Sequence, residues 1–484
     1  MPVRYSFHIQ RHEEETKETR IMAKHSASDL ARRHSRRPLV ILIVVAMVAA
    51  IAVSGGVAFT RHNRHTQALN QCSTARTTLT SATERLDNAV KDAKTSTTVQ
   101  ASTLEDPSVL ASLQTTVAKA GKLVSAVDSG DGYRCAETLS ADELDAKTRK
   151  LNSAADDAKK QTTAITSGIR SVRQNVANKT NETVRFTLTA AVSQSQGLLA
   201  QTKDQVSDES TRTKLQQLIR TADGQLNGND IITDGTVYQQ SIDQLNAAMD
   251  AVTASNIAKL GVDCKKVQCV ALTFDDGPDA TNTPPVIEAL KKTKATATFF
   301  SVGEHITGTT TPMLKQLAEA GYPIENHSWN HPHLQTLSKA DVVKQLTDTS
   351  TAVKKAVGTY PSMIRPPYSE WSNDVRDQAA VMNSSIINFN VMGYDWEKDA
   401  DGVHDAVLEW AKPGDIILLH DLQGSTAKAT ERIITDLQAK GYTLVSVPQL
   451  LGERPKPGYV YYSQDQVVKP GEPWKPSTNY AEQW

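Results

Sequence analysis

The chain has 484 residues, with 53 Lys and Arg against 54 Asp and Glu, and a net charge of −1. This length predicts about three structural units, and the balanced charge excludes the strongly basic surface of a nucleic-acid-binding protein. Charged residues make up 22%, too few for a wholly disordered chain, and four cysteines are too few for a disulfide-scaffolded miniprotein. All six tryptophans lie at or after Trp329, so the two halves differ in kind.

An apolar run without charged residues occupies 39–59 and follows a basic arm at 1–37. About 20 apolar residues suffice for a helix to cross a bilayer. The arm holds nine Lys and Arg against five Asp and Glu, which favours a cytoplasmic N-terminus. We therefore predict a single membrane span at 38–59, with the rest of the chain outside the cytoplasm and facing a cell wall. A cleaved signal peptide would have a shorter apolar region, and either Met1 or Met22 could be the start.

The four cysteines all follow the apolar run, where disulfides are permitted. Cys264 and Cys269 are close enough in sequence to close a small loop, and Cys72 would then pair with Cys135 by elimination. The alternative is four buried free thiols. A metal site is disfavoured because no C-x2-C pair exists.

The stretch between the apolar run and residue 260 has scarce aromatics, and its apolar residues recur at helical spacing. We predict a helical hairpin or coiled-coil spacer at 60–185 and a three-helix module at 186–260. The module's helices are expected at 187–204, 209–222 and 237–254. Its pattern loosely resembles the FIVAR modules of Gram-positive surface proteins. The expected role is spacing from the membrane, with possible self-association and no nucleic-acid contact.

Short β-rich runs alternate with helical patterns over 261–452, which predicts a mainly parallel sheet. Strands are expected at 270–274, 297–302, 324–326, 362–365, 385–390, 415–419 and 443–447. Helices are expected at 282–292, 311–320, 339–357, 371–381, 402–411 and 426–440. The pattern fits a distorted (β/α)7 barrel, with an open doubly wound sheet as the competing fold. A proline-rich segment at 453–484 predicts an extended tail.

Ionisable residues follow five of the predicted strands, and in parallel α/β folds active sites gather at the carboxyl ends of strands. These residues are Asp275 and Asp276, His327 and His331, Arg365 and Tyr368, Asp395, and His420.

Two histidines and one carboxylate in this set could hold a metal ion. His327 and His331 are four residues apart, one turn if helical, and Asp276 could supply an oxygen ligand. Zinc in such a site lowers the pKa of water and polarises a carbonyl. Asp275 could then accept a proton and His420 could deliver one. The competing interpretations are a turn at 275–278, favoured by Gly277 and Pro278, and a capping or core histidine at 420.

Five motifs in this region resemble, in order, those of the polysaccharide deacetylases, carbohydrate esterase family four. They are Thr273-Phe274-Asp275-Asp276-Gly277-Pro278, His327-Ser328-Trp329-Asn330-His331, Arg365-Pro366-Pro367-Tyr368, Asp395-Trp396 and Leu418-Leu419-His420. The resemblance covers roughly 266–452 and implies a distorted barrel that hydrolyses N-acetyl or O-acetyl groups on sugars with a divalent metal, zinc by default and Co, Ni or Mn as alternatives.

The same resemblance implies a role for each matching residue. Asp276, His327 and His331 would bind the metal, Asp275 would be the general base and His420 the general acid. Arg365 would orient Asp275, and Asp395 would pair with His420. The backbone N–H of Tyr368 would stabilise the oxyanion. Trp396 and Leu418 would line the acetyl pocket and groove.

One position departs from the family pattern. Met392 stands where the fourth motif often begins with Asp, which bears on loop structure more than on the proton relay because Asp395 is kept. The remaining histidines His305, His333 and His404 are expected to be exposed loop or helix residues, with His333 close to the ligands.

We expect a membrane-anchored deacetylase of N-acetylated cell-wall glycan, such as peptidoglycan or a GlcNAc polymer, that releases acetate. Three alternatives remain open at this point. They are an O-acetyl esterase on xylan or another glycan, a wall scaffold in which the helical region is the functional part, and a non-haem Fe(II) oxygenase.

Overall fold

The structure is a computed structural model that describes the backbone of residues 38–472 and the side chains of residues 56–130 and 132–472. The predicted basic arm, residues 473–484 of the predicted tail and most side chains of the predicted membrane span lie outside this description. Within it, no helix is both long and apolar enough to cross a membrane. One compact unit comprises residues 38–81 and 129–156, and a second comprises 82–128 and 157–472.

Three long helices cover the predicted spacer: α1 (Pro38–Thr97), α2 (Ser108–Ser129) and α3 (Ala141–Thr180). The first of them begins at the start of the predicted membrane span and continues without a break into the spacer. In the first unit the buried residues are small or aliphatic, among them Ala68, Leu79 and Leu144. A disulfide joins Cys72 to Cys135, with their Cα atoms 6.0 Å apart. Arg76 Nη1 donates to the Tyr133 carbonyl at 2.5 Å. The first unit therefore has a thin core supplemented by a covalent link.

The second unit contains three further helices, α4 (Glu182–Gln201), α5 (Glu209–Asn227) and α6 (Thr236–Leu260), near the predicted positions. Asp208 caps the start of α5, because its side chain accepts the Ser210 N–H. Gly261 caps the end of α6, where its left-handed φ of 70° suits glycine. The three helices enclose a common core, which includes Leu188, Leu215, Ile219, Tyr238, Leu245 and Val252.

Residues 261–468 of the second unit alternate strands with helices, as the sequence predicts; they are called the catalytic part below because the predicted site residues lie there. Its strands are β1 (Cys269–Asp276), β2 (Thr298–Ser301), β3 (Ile324–Asn326), β4 (Met363–Ile364), β5 (Ser385–Ile387), β6 (Val391–Met392), β7 (Ile416–His420), β8 (Thr443–Val445), β9 (Val460–Tyr461) and β10 (Val467–Val468). Its helices are α7 (Thr283–Thr293), α8 (Thr311–Glu319), α9 (Lys339–Val357), α10 (Asn373–Val381), α11 (Ala400–Trp410), α12 (Gly424–Ala439) and α13 (Val447–Leu451).

The sheet runs β10-β9-β5-β4-β3-β2-β1-β7-β6, and β8 pairs with the beginning of β1. All pairings except β9 with β10 are parallel. Apolar residues cover both faces, which is why β1 is apolar from Cys269 to Leu272. An isolated bridge between Asp415 and Ser463 joins the start of β7 to the segment after β9. The sheet is thus a curled half-barrel, in agreement with the distorted barrel rather than the flat doubly wound alternative.

The proline-rich segment differs from its prediction up to residue 468. Strand β9 pairs with β5 through Val460 opposite Ile386, and β10 folds back on β9 through Val467 opposite Tyr461. Buried Val460, Tyr461 and Tyr462 anchor the segment in the core. The catalytic part therefore extends to 468 and does not end at 452, because short apolar runs between the prolines complete the sheet.

Candidate active site

The carboxyl edge of the sheet gathers the predicted site residues. Asp275 and Asp276 end β1, His420 ends β7, His327 directly follows β3, and Arg365 directly follows β4. Parallel strands present these ends on one side of the sheet. Asp395 follows the short strand β6 (Val391–Met392), which lies just beyond the predicted strand at 385–390. The polar residue therefore belongs to a different strand from the one expected.

Asp276, His327 and His331 form a cluster in which one ligand atom from each residue lies within 4.8 Å of the others. Asp276 Oδ1 lies 3.4 Å from His327 Nε2 and 3.5 Å from His331 Nε2. This oxygen is buried and has no hydrogen-bond partner among the described residues. A buried carboxylate oxygen without a partner is costly, and a cation between the three side chains would satisfy it.

The two histidines reach this point without a helical turn. Ser328 and His331 adopt left-handed backbone conformations, with φ of 67° and 58°, and residues 327–331 are not helical. The helical spacing considered for this motif is therefore wrong. Left-handed residues turn the chain sharply, so both rings face Asp276 from a loop.

His327 is prepared as a neutral ligand. Its Nδ1 lies 2.6 Å from the Arg365 carbonyl oxygen, which can only accept, so Nδ1 carries the hydrogen and Nε2 keeps a free lone pair. Burial lowers the pKa of His327 to about 3, although Asp276 acts in the opposite direction. A neutral imidazole held through its other nitrogen is the arrangement that protein metal sites use.

Asp275 is a buried carboxylate held by a buried arginine. Arg365 Nη1 donates to Asp275 Oδ1 at 2.7 Å and to the Thr273 hydroxyl at 2.7 Å. The guanidinium also donates to the carbonyls of Ile387 and Asn388. Burial raises the pKa of Asp275, and the Arg365 charge counteracts that rise. Asp275 Oδ2 lies 3.7 Å from His327 Nε2, so the second oxygen is directed toward the cluster.

His420 forms a dyad with Asp395. Its Nδ1 lies 2.8 Å from Asp395 Oδ1, and its backbone N–H donates to Asp395 Oδ2 at 2.6 Å. The Thr426 hydroxyl donates to the same Oδ2. Burial alone would lower the pKa of His420, but Asp395, Asp275 and Asp276 together raise it to about 9. His420 is therefore a charged imidazolium that can donate a proton from Nε2.

The residues expected to contact substrate differ in exposure. Tyr368 and Trp396 are among the exposed large apolar side chains, at 50% and 44%. The Tyr368 ring lies near His331, and the Trp396 ring meets His420 edge-on at 5.5 Å. Leu418 is buried among the residues inside the half-barrel. Two aromatic rings thus flank the polar groups, while Leu418 contributes to the wall beneath them.

Two further residues, His305 and Asp421, contact the peptide group that follows Asp276. The sequence did not indicate this role for either of them. His305 Nδ1 lies 2.7 Å from the Asp276 carbonyl oxygen, so this histidine is not the exposed loop residue that was expected. Asp421 accepts the Gly277 N–H at 3.1 Å. Of the other two histidines, His333 stacks on Tyr368 at 4.0 Å and lies 2.9 Å from Glu370. His404 lies on α11 beside Asp405 and Asp436.

The part of the chain that carries this site is a parallel α/β half-barrel with its polar residues at the carboxyl edge of the sheet. A family profile described as polysaccharide deacetylase matches residues 263–386. The peptidoglycan-N-acetylmuramic acid deacetylase PdaC of Bacillus subtilis is 37% identical over 182 residues, which are 37% of this chain and 38% of that protein. The peptidoglycan-N-acetylglucosamine deacetylase PgdA of Listeria monocytogenes is 34% identical over 196 residues, 40% of this chain and 41% of that protein.

A chitooligosaccharide deacetylase of Sinorhizobium fredii is 32% identical over 195 residues, which are 37% of this chain and 90% of that protein. The chain belongs to the polysaccharide deacetylase family, carbohydrate esterase family four. Its match spans well under half the length of the Bacillus and Listeria relatives.

Proposed function

We propose that this protein removes N-acetyl groups from cell-wall glycan by hydrolysis and releases acetate. The observation that carries the proposal is the convergence of three groups at one sheet edge. These are the Asp276, His327 and His331 cluster, the Asp275 carboxylate held by Arg365, and the charged His420. Hydrolysis of an acetamide needs a base, an electrophilic centre and an acid, and each of these groups has the matching chemistry.

We propose that Asp276, His327 and His331 hold one divalent ion, with zinc as the first candidate and Co, Ni or Mn able to use the same donors. The donor set fits because it combines two imidazoles, one of them neutral through burial, with a buried carboxylate oxygen that lacks any other partner. When bound there, the ion supplies Lewis-acid chemistry that acidifies water and polarises a carbonyl.

Asp275 and His420 would then carry out the proton transfers. Asp275 takes a proton from the attacking water through Oδ2, because Oδ1 is held by Arg365. A C–O bond forms at the acetyl carbon and the C–N bond breaks. His420 gives its Nε2 proton to the departing nitrogen, and Asp395 at Nδ1 stabilises the imidazolium before that transfer.

We propose peptidoglycan as the substrate. The support is that the Bacillus and Listeria relatives are named as peptidoglycan deacetylases, and that Tyr368 and Trp396 expose aromatic rings beside the polar groups. Aromatic rings offer the apolar face that a sugar ring packs against. O-acetyl ester hydrolysis uses the same groups and is an outcome of the experiment below.

We also propose that residues 38–59 anchor the protein in the cell membrane and that the catalytic part lies outside the cytoplasm. Support comes from the basic arm and the uncharged apolar run in the sequence. The two disulfides agree with an oxidising compartment. When protease is added to intact cells, we expect it to cut the chain only after residue 59. A chain that is cut only when the protease has access to the cytoplasm would contradict the proposal.

Acetate release tests the proposed function. Purified protein is assayed on peptidoglycan, on N-acetylglucosamine oligomers and on acetylxylan, each with and without chelator. We expect chelator-sensitive acetate from the first two, and a loss of at least about 100-fold in the general-base variant Asp275→Asn. His404→Gln, a histidine variant on α11, is the control and keeps full activity. Release from acetylxylan alone would instead show an O-acetyl esterase, and no release from any substrate would contradict the proposal.

A further inference from the structure

The peptide group between Asp276 and Gly277 is held from both of its ends. His305 Nδ1 lies 2.7 Å from the Asp276 carbonyl oxygen, and the Gly277 N–H donates to Asp421 Oδ1 at 3.1 Å. Because a carbonyl only accepts, His305 must carry its hydrogen on Nδ1. Both polar atoms of one peptide group are therefore fixed by side chains from two different segments, one after β2 and one after β7.

This peptide group needs to be held, because Asp276 has an unusual backbone conformation. Its φ is 71°, in the left-handed region that costs a residue other than glycine about 1–3 kcal/mol. The same conformation directs Oδ1 to within 3.4 Å of His327 Nε2 and 3.5 Å of His331 Nε2. A change in this backbone angle would move the oxygen away from both histidines.

Asp421 is built tightly against the peptide group. A Cβ atom at Gly277 would lie 2.2 Å from both Asp421 carboxylate oxygens, so the carboxylate occupies the space that only glycine leaves. Asp421 is 1% exposed, and its Oδ2 accepts the hydroxyl of Thr283 at the start of α7. The carboxylate thus links β7, the loop after β1 and helix α7 at the position of the ligand.

We propose that His305 and Asp421 are positioning residues, a peptide clamp that holds the Asp276 carboxylate toward His327 and His331 and thereby sets the affinity of the site for a divalent ion. The inference rests on the proposed function, because it takes Asp276 as a metal ligand. Among the described residues, the side-chain hydrogen bonds of His305 and Asp421 go to backbone atoms and to Thr283, and none goes to the three ligand side chains. Partners that orient metal ligands typically change affinity about 10–100-fold when removed.

Two variants of His305 distinguish the effect of its hydrogen bond on metal affinity from the effect of its side-chain volume. His305→Leu removes the donor but fills similar space, whereas His305→Asn keeps an N–H near the position of Nδ1. The zinc dissociation constant of the full-length apoprotein is measured by competition with a chromophoric chelator. We expect about 10–100-fold weaker binding for His305→Leu and near wild-type binding for His305→Asn, with every measurement made at a temperature at which the apoprotein is fully folded.

Asp421→Ala tests the other half of the clamp and should weaken zinc binding to a similar extent. If that variant does not fold, the His305 pair decides the proposal alone. His404→Leu, on α11, is the matched control and keeps wild-type affinity. Wild-type zinc affinity in His305→Leu would overturn the clamp and leave the proposed function intact. A folded wild-type protein that binds none of zinc, cobalt, nickel and manganese would overturn both.

Discussion

The charge of His420 depends on a single neighbouring carboxylate more than on any other contact. Asp395 receives the imidazole Nδ1 hydrogen, the backbone N–H of the same histidine and the Thr426 hydroxyl. These three donors hold the Asp395 carboxylate in one position, so its negative charge stabilises the protonated imidazole of His420 through Nδ1. The pKa of His420 is about 9 in spite of burial, which alone would lower it. A general acid with that pKa is protonated throughout the neutral range.

Replacing this carboxylate should move the alkaline limb of the pH profile. In Asp395→Asn the hydrogen-bond acceptor stays but the negative charge is lost, so the pKa of His420 falls from about 9. Because the acid form must be protonated, activity is lost as pH rises through that pKa. We expect the alkaline limb of kcat/KM for acetate release to move at least about one pH unit lower.

Asp405→Asn is the control for that measurement, because Asp405 lies 2.8 Å from His404 and therefore beside a different histidine. Its profile should match the wild type between pH 6 and 10. An unchanged alkaline limb in Asp395→Asn would show that His420 is not the group responsible for it.

Helix α4 buries a short polar run, Ser193 to Ser195, on a face that packs on the catalytic part. Gln194 is 6% exposed, and its amide donates to the carbonyls of Pro361 and Met382. Its oxygen accepts from Asn383 at 2.7 Å. Nearby, a Cβ at Gly197 would lie 2.5 Å from the Thr359 methyl, so the chains approach closely. The three helices therefore belong to the same compact unit as the catalytic part.

Removal of this amide should destabilise that unit. Gln194→Ala removes three buried hydrogen bonds, two to the carbonyls of Pro361 and Met382 and one from the Asn383 amide. We expect a loss of about 1–3 kcal/mol in the free energy of unfolding. Urea unfolding followed by tryptophan fluorescence reports the second unit, since the described tryptophans all lie there. Gln201→Ala, at the exposed end of the same helix, should cost less than about 0.5 kcal/mol. Equal stability of the two variants would contradict the packing role of Gln194.

Elements with clear periodicity could be predicted from the sequence, and elements fixed only by tertiary contacts could not. Helix α9 occupies its predicted residues 339–357, because an N-cap at Ser338 and a left-handed Gly358 mark its ends. Strands β6, β9 and β10 have two residues each, too few for any alternation to appear. They exist because a neighbouring strand supplies the hydrogen bonds.

The candidate site follows the same division. Asp276, His327 and His331 lie in motifs whose spacing and family resemblance indicate metal ligands, and the structure brings them together. His305 and Asp421 act on backbone atoms of a loop distant in sequence, and a hydrogen bond to a carbonyl or an amide leaves no motif. The available signals were a histidine shortly after β2 and an aspartate directly after β7, and both positions suit surface residues equally well.

At the scale of the whole molecule, the two disulfides belong to different compact units. Cys72–Cys135 lies in the first unit and closes a separation of 63 residues. Cys264–Cys269 lies in the second unit, joins the loop before β1 to the first residue of that strand, and closes a separation of five. A longer closed loop restricts the unfolded chain more, so the first bond should contribute more to stability. The second bond instead constrains the entry into the strand that carries Asp275 and Asp276.

Removing the first disulfide should therefore lower the stability of the first unit without affecting catalysis, whereas removing the second should affect the heat resistance of the activity. Cys72→Ser with Cys135→Ser should cost the first unit about 2–5 kcal/mol and leave acetate release from a short soluble oligomer unchanged. Cys264→Ser with Cys269→Ser should cost less free energy but lower the temperature at which acetate release is lost, because Cys269 is the first residue of β1 and fully buried. Differential scanning calorimetry and residual activity after heating measure the two effects. Loss of activity in the first pair at a temperature where the second unit stays folded would contradict this division, since it would make the first unit necessary for catalysis on a freely diffusing substrate.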